Sequence, residues 1–344
     1  MQNEDGARLD VVAVVPAYRA ASTIVRVVAD ALTYVDRVIV VDDACPEGSG
    51  QHVREAFADD ARVHVITHST NRGVGGAVKT GFKAVLTAGP ALIVKLDADD
   101  QMDARYIPAF VALLERFPAI GFVKGNRFAS ASVLRRMPRL RLIGNSGLSF
   151  LVKACTGFWN LVDPTNGYIV CRSEIFEDID LGLLANRYFF EIDLLCALGL
   201  RRIPIAELQM DAKYDGENSS LSIGRALLTF PVALLARYAK RLFVQYIVAD
   251  INVGSLYALA GFPLLLLGTA FGLYQWALST ETHLPRTSGT VILALLLFIT
   301  GFQLMLQALA YDVSESTQTL KARIRGNELI VADTEPPVAA FARI

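Results

Sequence analysis

The sequence predicts an α/β protein: a mostly parallel sheet domain, then amphipathic interfacial helices, then two transmembrane helices. Three observations carry that prediction. Short β-branched runs alternate with longer amphipathic segments from Asp10 to about Gly125. A basic, apolar stretch follows between 222 and 249, and beyond it two segments run for thirty and twenty-five positions without a charged residue.

The strand-like runs are residues 11–15, 38–41, 63–66, 91–96 and 120–123. They are nearly continuous in apolar side chains, the pattern of strands buried on both faces, so a parallel sheet with helices on both sides is expected. Ligands of such sheets sit outside the carboxyl ends of the strands. The residues that follow each run are therefore the candidates for chemistry.

Between 222 and 249, Arg237, Lys240 and Arg241 share one helical face by their spacing, and Pro231 is expected to divide the stretch into two helices. A basic amphipathic pair suits the headgroup layer of an anionic bilayer. The uncharged segments, between Asp250 and Glu281 and between Arg286 and Asp312, each exceed the roughly 20 residues that cross a bilayer core. Gly261, Pro263 and Gly268 inside the first are tolerable in a membrane helix. Bases flank the pair on both outer sides, Arg237, Lys240 and Arg241 before it and Lys321, Arg323 and Arg325 after it, which orients both flanks to the cytoplasm. The expected division is 1–218 cytoplasmic catalytic domain, 219–249 juxtamembrane helices, 250–313 transmembrane hairpin and 314–344 cytoplasmic tail, in a multi-pass protein of the cell (inner) membrane.

Composition agrees. With 53% hydrophobic residues in 344, the chain can bury a full core and still supply apolar spans. Thirty-three Lys plus Arg against 34 Asp plus Glu leave no global excess pointing to nucleic acid. Cys45, Cys155, Cys171 and Cys196 form no CxxC pair, which argues against a zinc or redox site and fits a reducing compartment. The N-terminal MQNEDGARLD lacks the basic flank and apolar run of a signal peptide.

The run Asp97-Ala98-Asp99-Asp100-Gln101 closes the fourth strand with the oxygen ligands that Mg²⁺ or Mn²⁺ prefers. Such an acidic turn is also common as plain solvated surface. Pro16-Ala17-Tyr18 closes the first strand and offers backbone and a ring edge to a base. Asp42-Asp43 closes the second, placed to accept hydrogen bonds from a ribose or base. Asn71-Arg72-Gly73-Val74-Gly75-Gly76 opens a helix; it is neither a dinucleotide fingerprint nor a P-loop, and its glycines serve either close packing or a ligand's approach.

Taken in order, VVPAY, VVDDACPEG, NRGVGGAVKTGF, KLDADDQMD, KGNRF, DPTNGY and RYFFEIDLL, followed by a membrane hairpin, resemble the family 2 glycosyltransferases of the GT-A fold, and among them the polyprenyl-phosphate, dolichol-phosphate-mannose-synthase-like branch. The resemblance implies that Asp97, Asp99 and Gln101 bind the metal and diphosphate, that Tyr18, Asp42 and Asp43 contact the nucleoside, and that Arg127 and Arg141 meet the acceptor phosphate. Asp163 then serves as a base-like or acceptor-orienting group, or else as a turn carboxylate capping Asn166-Gly167. Glu191 and Asp193 could also face the site. Many relatives carry an acidic residue where this chain has Ala20, which leaves the nucleobase open. The loop 213–220 resembles the family's acceptor loop but has Ser219 in place of a lysine, for which Lys213 could substitute.

The implied reaction is hexose transfer from a UDP- or GDP-sugar to polyprenyl (undecaprenyl or dolichyl) phosphate, with inversion. The bilayer and a second copy of the chain are the other candidate partners. Transfer directly to a glycan or other lipid, and a catalytically inactive nucleotide-binding scaffold, are the competing readings. Neither a QxxRW-type segment nor a longer channel is visible in support of the first.

Overall fold

The computed structural model describes residues 9–127, 139–211, 223–316, 319–325 and 328–331, with backbone alone at 139–146, 223–232 and 325. The chain divides into two compact units, Met1–Leu235 with Thr317–Ile344, and Ala236–Ser316.

The first unit is built on one sheet whose strands, in chain order, are β1 (Asp10–Ala17), β2 (Arg37–Asp42), β3 (Val63–Thr67), β4 (Ala91–Lys95), β5 (Phe122–Asn126), β6 (Ile169–Arg172), β7 (Ile205–Gln209), β8 (Thr319–Arg325) and β9 (Glu328–Val331). Their spatial order is β3-β2-β1-β4-β6-β5-β7-β8-β9. Pairing is parallel except where β6 lies between β4 and β5 and where β9 turns back on β8. The expected mostly parallel α/β fold is thus present.

Alternation along the strands divides the core in two. Val11, Ala13 and Val15 of β1 pack with α1 (Ile24–Leu32) and α4 (Ile107–Arg116), while Val12 and Val14 pack with α3 (Val74–Ala88) and with α6 (Phe190–Leu200). Covering both faces is what a parallel sheet requires. Two further helices of this unit are α2 (Ser49–Ala56) and α5 (Arg139–Thr156).

The crossing of α3 over β1 is close because Gly81 presents no side chain. A Cβ there would collide with Val14 Cγ1. Gly81→Ala is accordingly expected to destabilise the protein by about 1–3 kcal/mol through overpacking, read as a fall in thermal unfolding temperature without change in ligand contacts.

Three expectations are corrected. The run 63–66 is not fully buried: β3 is an edge strand with partly exposed residues throughout, because no described strand pairs beyond it. The segment expected as a tail from 314 instead supplies β8 and β9, with Leu320 and Ala322 turned inward between Lys321 and Arg323. That strict alternation of TLKARIR is a strand's period of two. Finally, α7 (Ile223–Phe243) runs unbroken through Pro231. Proline removes one intrahelical hydrogen bond, and a helix of 21 residues keeps enough of the others to continue.

The second unit is dominated by α8 (Val253–Thr282) and α9 (Ser288–Ser314), both long and apolar enough to cross a bilayer. Asn252 and Ser255 form a reciprocal capping box at the start of α8, and Thr287 caps α9. The two helices approach through Gly261, Gly268 and Gly301, where an added Cβ would strike the backbone of the opposite helix. Leu259, Phe262, Leu266, Leu295, Leu296 and Ile299 point outward and are exposed, which suits a lipid environment and not water. Arg241, expected on a headgroup-facing surface with Lys240, is instead buried and paired with Asp312 (2.6 Å), to which Tyr246 also donates (2.7 Å). A guanidinium finds a buried carboxylate more favourable than a buried apolar contact. Lys240 remains exposed.

Candidate active site

The strand order reverses beside β1, with β2 on one side and β4 on the other, and this switch point opens a crevice at the carboxyl edge. Because β6 is antiparallel to β4 and β5, the 163–168 loop that leads into it arrives at the same edge. The ends of β1, β2, β4 and β5 and this loop therefore converge.

At the end of β1, Pro16 and Ala17 still pair with Val41 and Asp42, and Tyr18 emerges 44% exposed with the Arg19 guanidinium 5.5 Å from its ring centre. Arg19 adopts a left-handed backbone (φ 55°) to make this turn. Thr23, at the head of α1, donates its hydroxyl to the Ala98 carbonyl (2.5 Å), tying the β1 loop to the β4 loop.

Asp42 and Asp43 are both buried, and the protein itself uses their oxygens. Asp42 accepts the N–H groups of Cys45 (2.8 Å) and Gly50 (3.0 Å), holding the turn into α2. Asp43 accepts from Arg72 N (2.8 Å) and Gly73 N (2.7 Å) and meets His68 Nδ1 (2.7 Å). The glycines of this loop serve packing. Gly76 donates to the Asn186 carbonyl (2.9 Å), and a Cβ on Gly75 would sit 2.6 Å from Phe190 Cβ.

At the end of β4 the three aspartates separate. Asp100 takes a left-handed backbone (φ 60°) that turns its carboxylate to Arg26. Asp97 and Asp99 remain on the crevice side, and Gln101 donates its backbone N–H to Asp99 (3.0 Å). Solvent reaches Asp99, yet surrounding protein and the Asp97 charge push its pKa up. Asp97 gives one oxygen to the fully buried Lys95 (2.6 Å), whose ammonium also meets Glu191 (3.1 Å). Burial alone would depress Lys95; the Asp97 and Glu191 carboxylates outweigh it and hold the ammonium above its ordinary value. The second oxygen of Asp97 faces Gly167, where a Cβ would come within 2.9 Å.

These residues suit a hard divalent cation. Two crowded carboxylates with one proton affinity already raised gain from a shared positive charge. Among the described residues no three His, Cys, Asp or Glu side chains cluster as a complete metal site.

One strand beyond β6, the end of β5 presents Arg127. Its Nε and Nη2 donate to Asp163 (2.9 and 3.3 Å), as does its backbone N–H (3.2 Å). Asp163 is fully buried while the Arg127 side chain is 33% exposed, so a buried carboxylate anchors a cation that still faces outward. Lys95 and Lys124 both pair in register with Ile169 of β6, from either side. Two strand spacings place the two ends of the site about 10 Å apart.

Lys124 donates to the Asn166 carbonyl, fastening the same loop from below. Burial pushes its ammonium down to about 8, against the pull of Asp163 and Glu191. Between pH 8 and the ordinary 10.5, the unfolded chain holds a proton the folded one has released, so stability rises with pH across that window. Lys124→Met lacks this dependence. Thermal melting in detergent from pH 7 to 10.5 is expected to show the wild-type gaining on the variant only above pH 8.

Of the other expected residues, Glu191 meets Lys95, whereas Asp193 turns away to accept from Ala185 N (2.9 Å). Arg141 lies in α5, where its side chain is outside the described residues, and Lys213 is outside them altogether. Lys95, Lys124, His68 and Glu207 were not anticipated. A lysine inside an otherwise apolar strand run, as in ALIVK and FVK, is the signal that could have found two of them, since a buried ammonium needs a partner.

Residues 12–180 match the family model described as Glycosyl transferase family 2. An undecaprenyl-phosphate mannosyltransferase of Micrococcus luteus is 32% identical over 158 residues, 46% of this chain and 63% of that protein. A polyprenol monophosphomannose synthase of Mycolicibacterium smegmatis is 30% identical over 159 residues, 46% of this chain and 59% of that one. A UDP-N-acetylglucosamine–dolichyl-phosphate N-acetylglucosaminyltransferase of Methanococcus voltae is 26% identical over 218 residues, 58% and 84% of the two chains. The matched region spans about three fifths of the length of the first two relatives. With the ends of β1, β2, β4 and β5 and the Asp163 loop all inside the matched segment, the chain carries a glycosyltransferase family 2 domain.

Proposed function

We propose that this chain transfers a hexose from a UDP- or GDP-sugar to polyprenyl phosphate at the cytoplasmic face of a membrane, with inversion at the anomeric carbon. The observation that carries the reading is the division of the site into an acidic end at Asp97 and Asp99 and a cationic end at Arg127, bridged by one loop. The names of the relatives, which act on polyprenyl or dolichyl phosphates, support the choice of acceptor.

Asp97 and Asp99, with Gln101 alongside, would hold Mg²⁺ or Mn²⁺, which would supply charge to stabilise a departing nucleoside diphosphate. Lys95 holds Asp97 oriented for that role. Tyr18 offers an exposed ring to the base, and Asp42 and Asp43 shape the nucleoside pocket by holding the turns after β2 and before α3. A phosphate acceptor is already anionic and needs no general base. What it needs is relief from repulsion by the donor diphosphate, and Arg127, pre-oriented by Asp163, can pair with its oxygens. Asp163 thus orients the acceptor through Arg127 and is not required to take a proton.

Two apolar helices put the acceptor's membrane within reach of the chain. The polypeptide leaves the sheet after β7 and rejoins it as β8, so both ends of the hairpin lead to one domain, which favours an even number of crossings. The decisive experiment offers purified protein radiolabelled UDP- and GDP-sugars with polyprenyl phosphate and Mg²⁺ or Mn²⁺. Label entering the organic phase only with one donor is expected. Folded protein that binds nucleotide yet transfers nothing from either donor class would defeat the proposal.

A further inference from the structure

Glu207 is a carboxylate in the middle of β7, 1% exposed, on a strand otherwise lined by Ile205, Ala206 and Leu208. An apolar residue would fill that position at no desolvation cost. Instead Glu207 brings two oxygens into the core, and they are treated unequally. Oε1 accepts the backbone N–H groups of both Val162 and Asp163, each at 2.8 Å. Oε2 is buried with no hydrogen-bond partner among the described residues. Burial pushes the carboxyl pKa up, opposed by those two N–H donors.

Two donors converging on one oxygen fix the Val162 backbone between them and the peptide that leads into Asp163, because either N–H would otherwise be left buried and unpaired. The Asp163 carboxylate in turn receives three donors from Arg127. β7 also lies beside β5 with Glu207 in register with Lys124, which holds the other side of the same loop at Asn166. The loop is therefore gripped from two neighbouring strands, and the cation it presents is the product of that grip.

We propose that Glu207 is a positioning residue for acceptor binding: its Oε1 sets the 162–163 backbone, so that Asp163 holds Arg127 where a phosphate can meet it. The inference rests on the acceptor role given to Arg127 above. It concerns the placement of an oxygen and not its charge, and two conservative substitutions separate these. Glu207→Gln keeps a carbonyl oxygen at the same reach and removes the charge. Glu207→Asp keeps the charge and withdraws the oxygen by one carbon.

With full-length protein in detergent, Glu207→Gln is expected to stay within about three-fold of wild-type in kcat and in KM for both substrates. Glu207→Asp is expected to lose about ten-fold in kcat/KM for polyprenyl phosphate, with KM for the nucleotide-sugar within about two-fold. Hydrogen exchange at the Val162 and Asp163 amides gives a reading independent of activity: protection is retained in the Gln variant and lost in the Asp variant. A Gln variant as impaired as the Asp variant, equal loss in donor and acceptor parameters, or unchanged amide protection in the Asp variant each overturns the proposal. Should the wild-type protein not use polyprenyl phosphate, the functional reading falls alone, and the amide protection of the two variants still decides whether Glu207 holds the loop.

Discussion

Asp99→Ala is expected to lower sugar transfer by about a hundred- to a thousand-fold without lowering the melting temperature. The two halves of this expectation have separate causes. Of the three carboxylates in the run Asp97-Ala98-Asp99-Asp100, Asp99 is one of two left facing the crevice, since Asp100 is turned to Arg26. On the proposed metal role, its loss removes one of the two carboxylates offered to the cation. Yet Asp99 is solvent-reached and the protein holds its side chain through the Gln101 backbone N–H, so folding depends little on its carboxylate. Asp97→Ala behaves differently: it abolishes transfer and also leaves Lys95, fully buried, with Glu191 as its remaining carboxylate. Breaking such a pair costs about 3 kcal/mol. Initial transfer rates with and without chelator, beside thermal melts of both variants, check the contrast. Normal turnover of Asp99→Ala in the presence of chelator would remove the metal from the mechanism.

Arg127→Ala carries the second large effect. The substitution takes the guanidinium from Asp163, which has no exposure to water and keeps the Thr165 hydroxyl and the residue-127 backbone N–H as donors, and breaking such a buried ion pair costs about 3–5 kcal/mol. It also removes the cation assigned to the acceptor phosphate, so kcat/KM for polyprenyl phosphate should fall about a hundred-fold while donor affinity is retained. A double substitution separates the two consequences. Arg127→Ala with Asp163→Asn removes the stranded charge and should recover most of the lost stability, with transfer remaining as poor as in the single variant. If Arg127→Ala changed donor affinity and left the acceptor dependence untouched, Arg127 would belong to the nucleotide end of the site.

Much of the catalytic frame is legible along the chain because it is local. The β-branched runs ending in VVPAY, VVDD and KLDAD place their last residues at the carboxyl edge wherever the strands lie in the sheet, and all three do end there. The two uncharged stretches likewise declare themselves by length and composition, and they form α8 and α9 within a few residues of the expected limits. Pairings between distant segments are not legible in this way. Asp163 and Arg127 are 36 residues apart, Lys95 and Glu191 are 96 apart, and Glu207 reaches back 44 to the Asp163 backbone. Nothing in a single sequence sets those distances, because each depends on β6 entering antiparallel between β4 and β5.

The α/β class, the two long apolar helices, the strand-end position of the aspartates and the glycosyltransferase family 2 motifs are all readable along the chain. Periodicity and composition are properties of short windows, and hydrophobic burial acts on them directly. Only the tertiary structure decided which aspartate faces the crevice and that Asp42 and Asp43 are occupied by backbone N–H groups. It also decided that two lysines are buried beneath the site and that β8 and β9 complete the sheet. The physical reason is that a buried polar group must find a partner, and where that partner stands is set by strand order and not by distance along the chain.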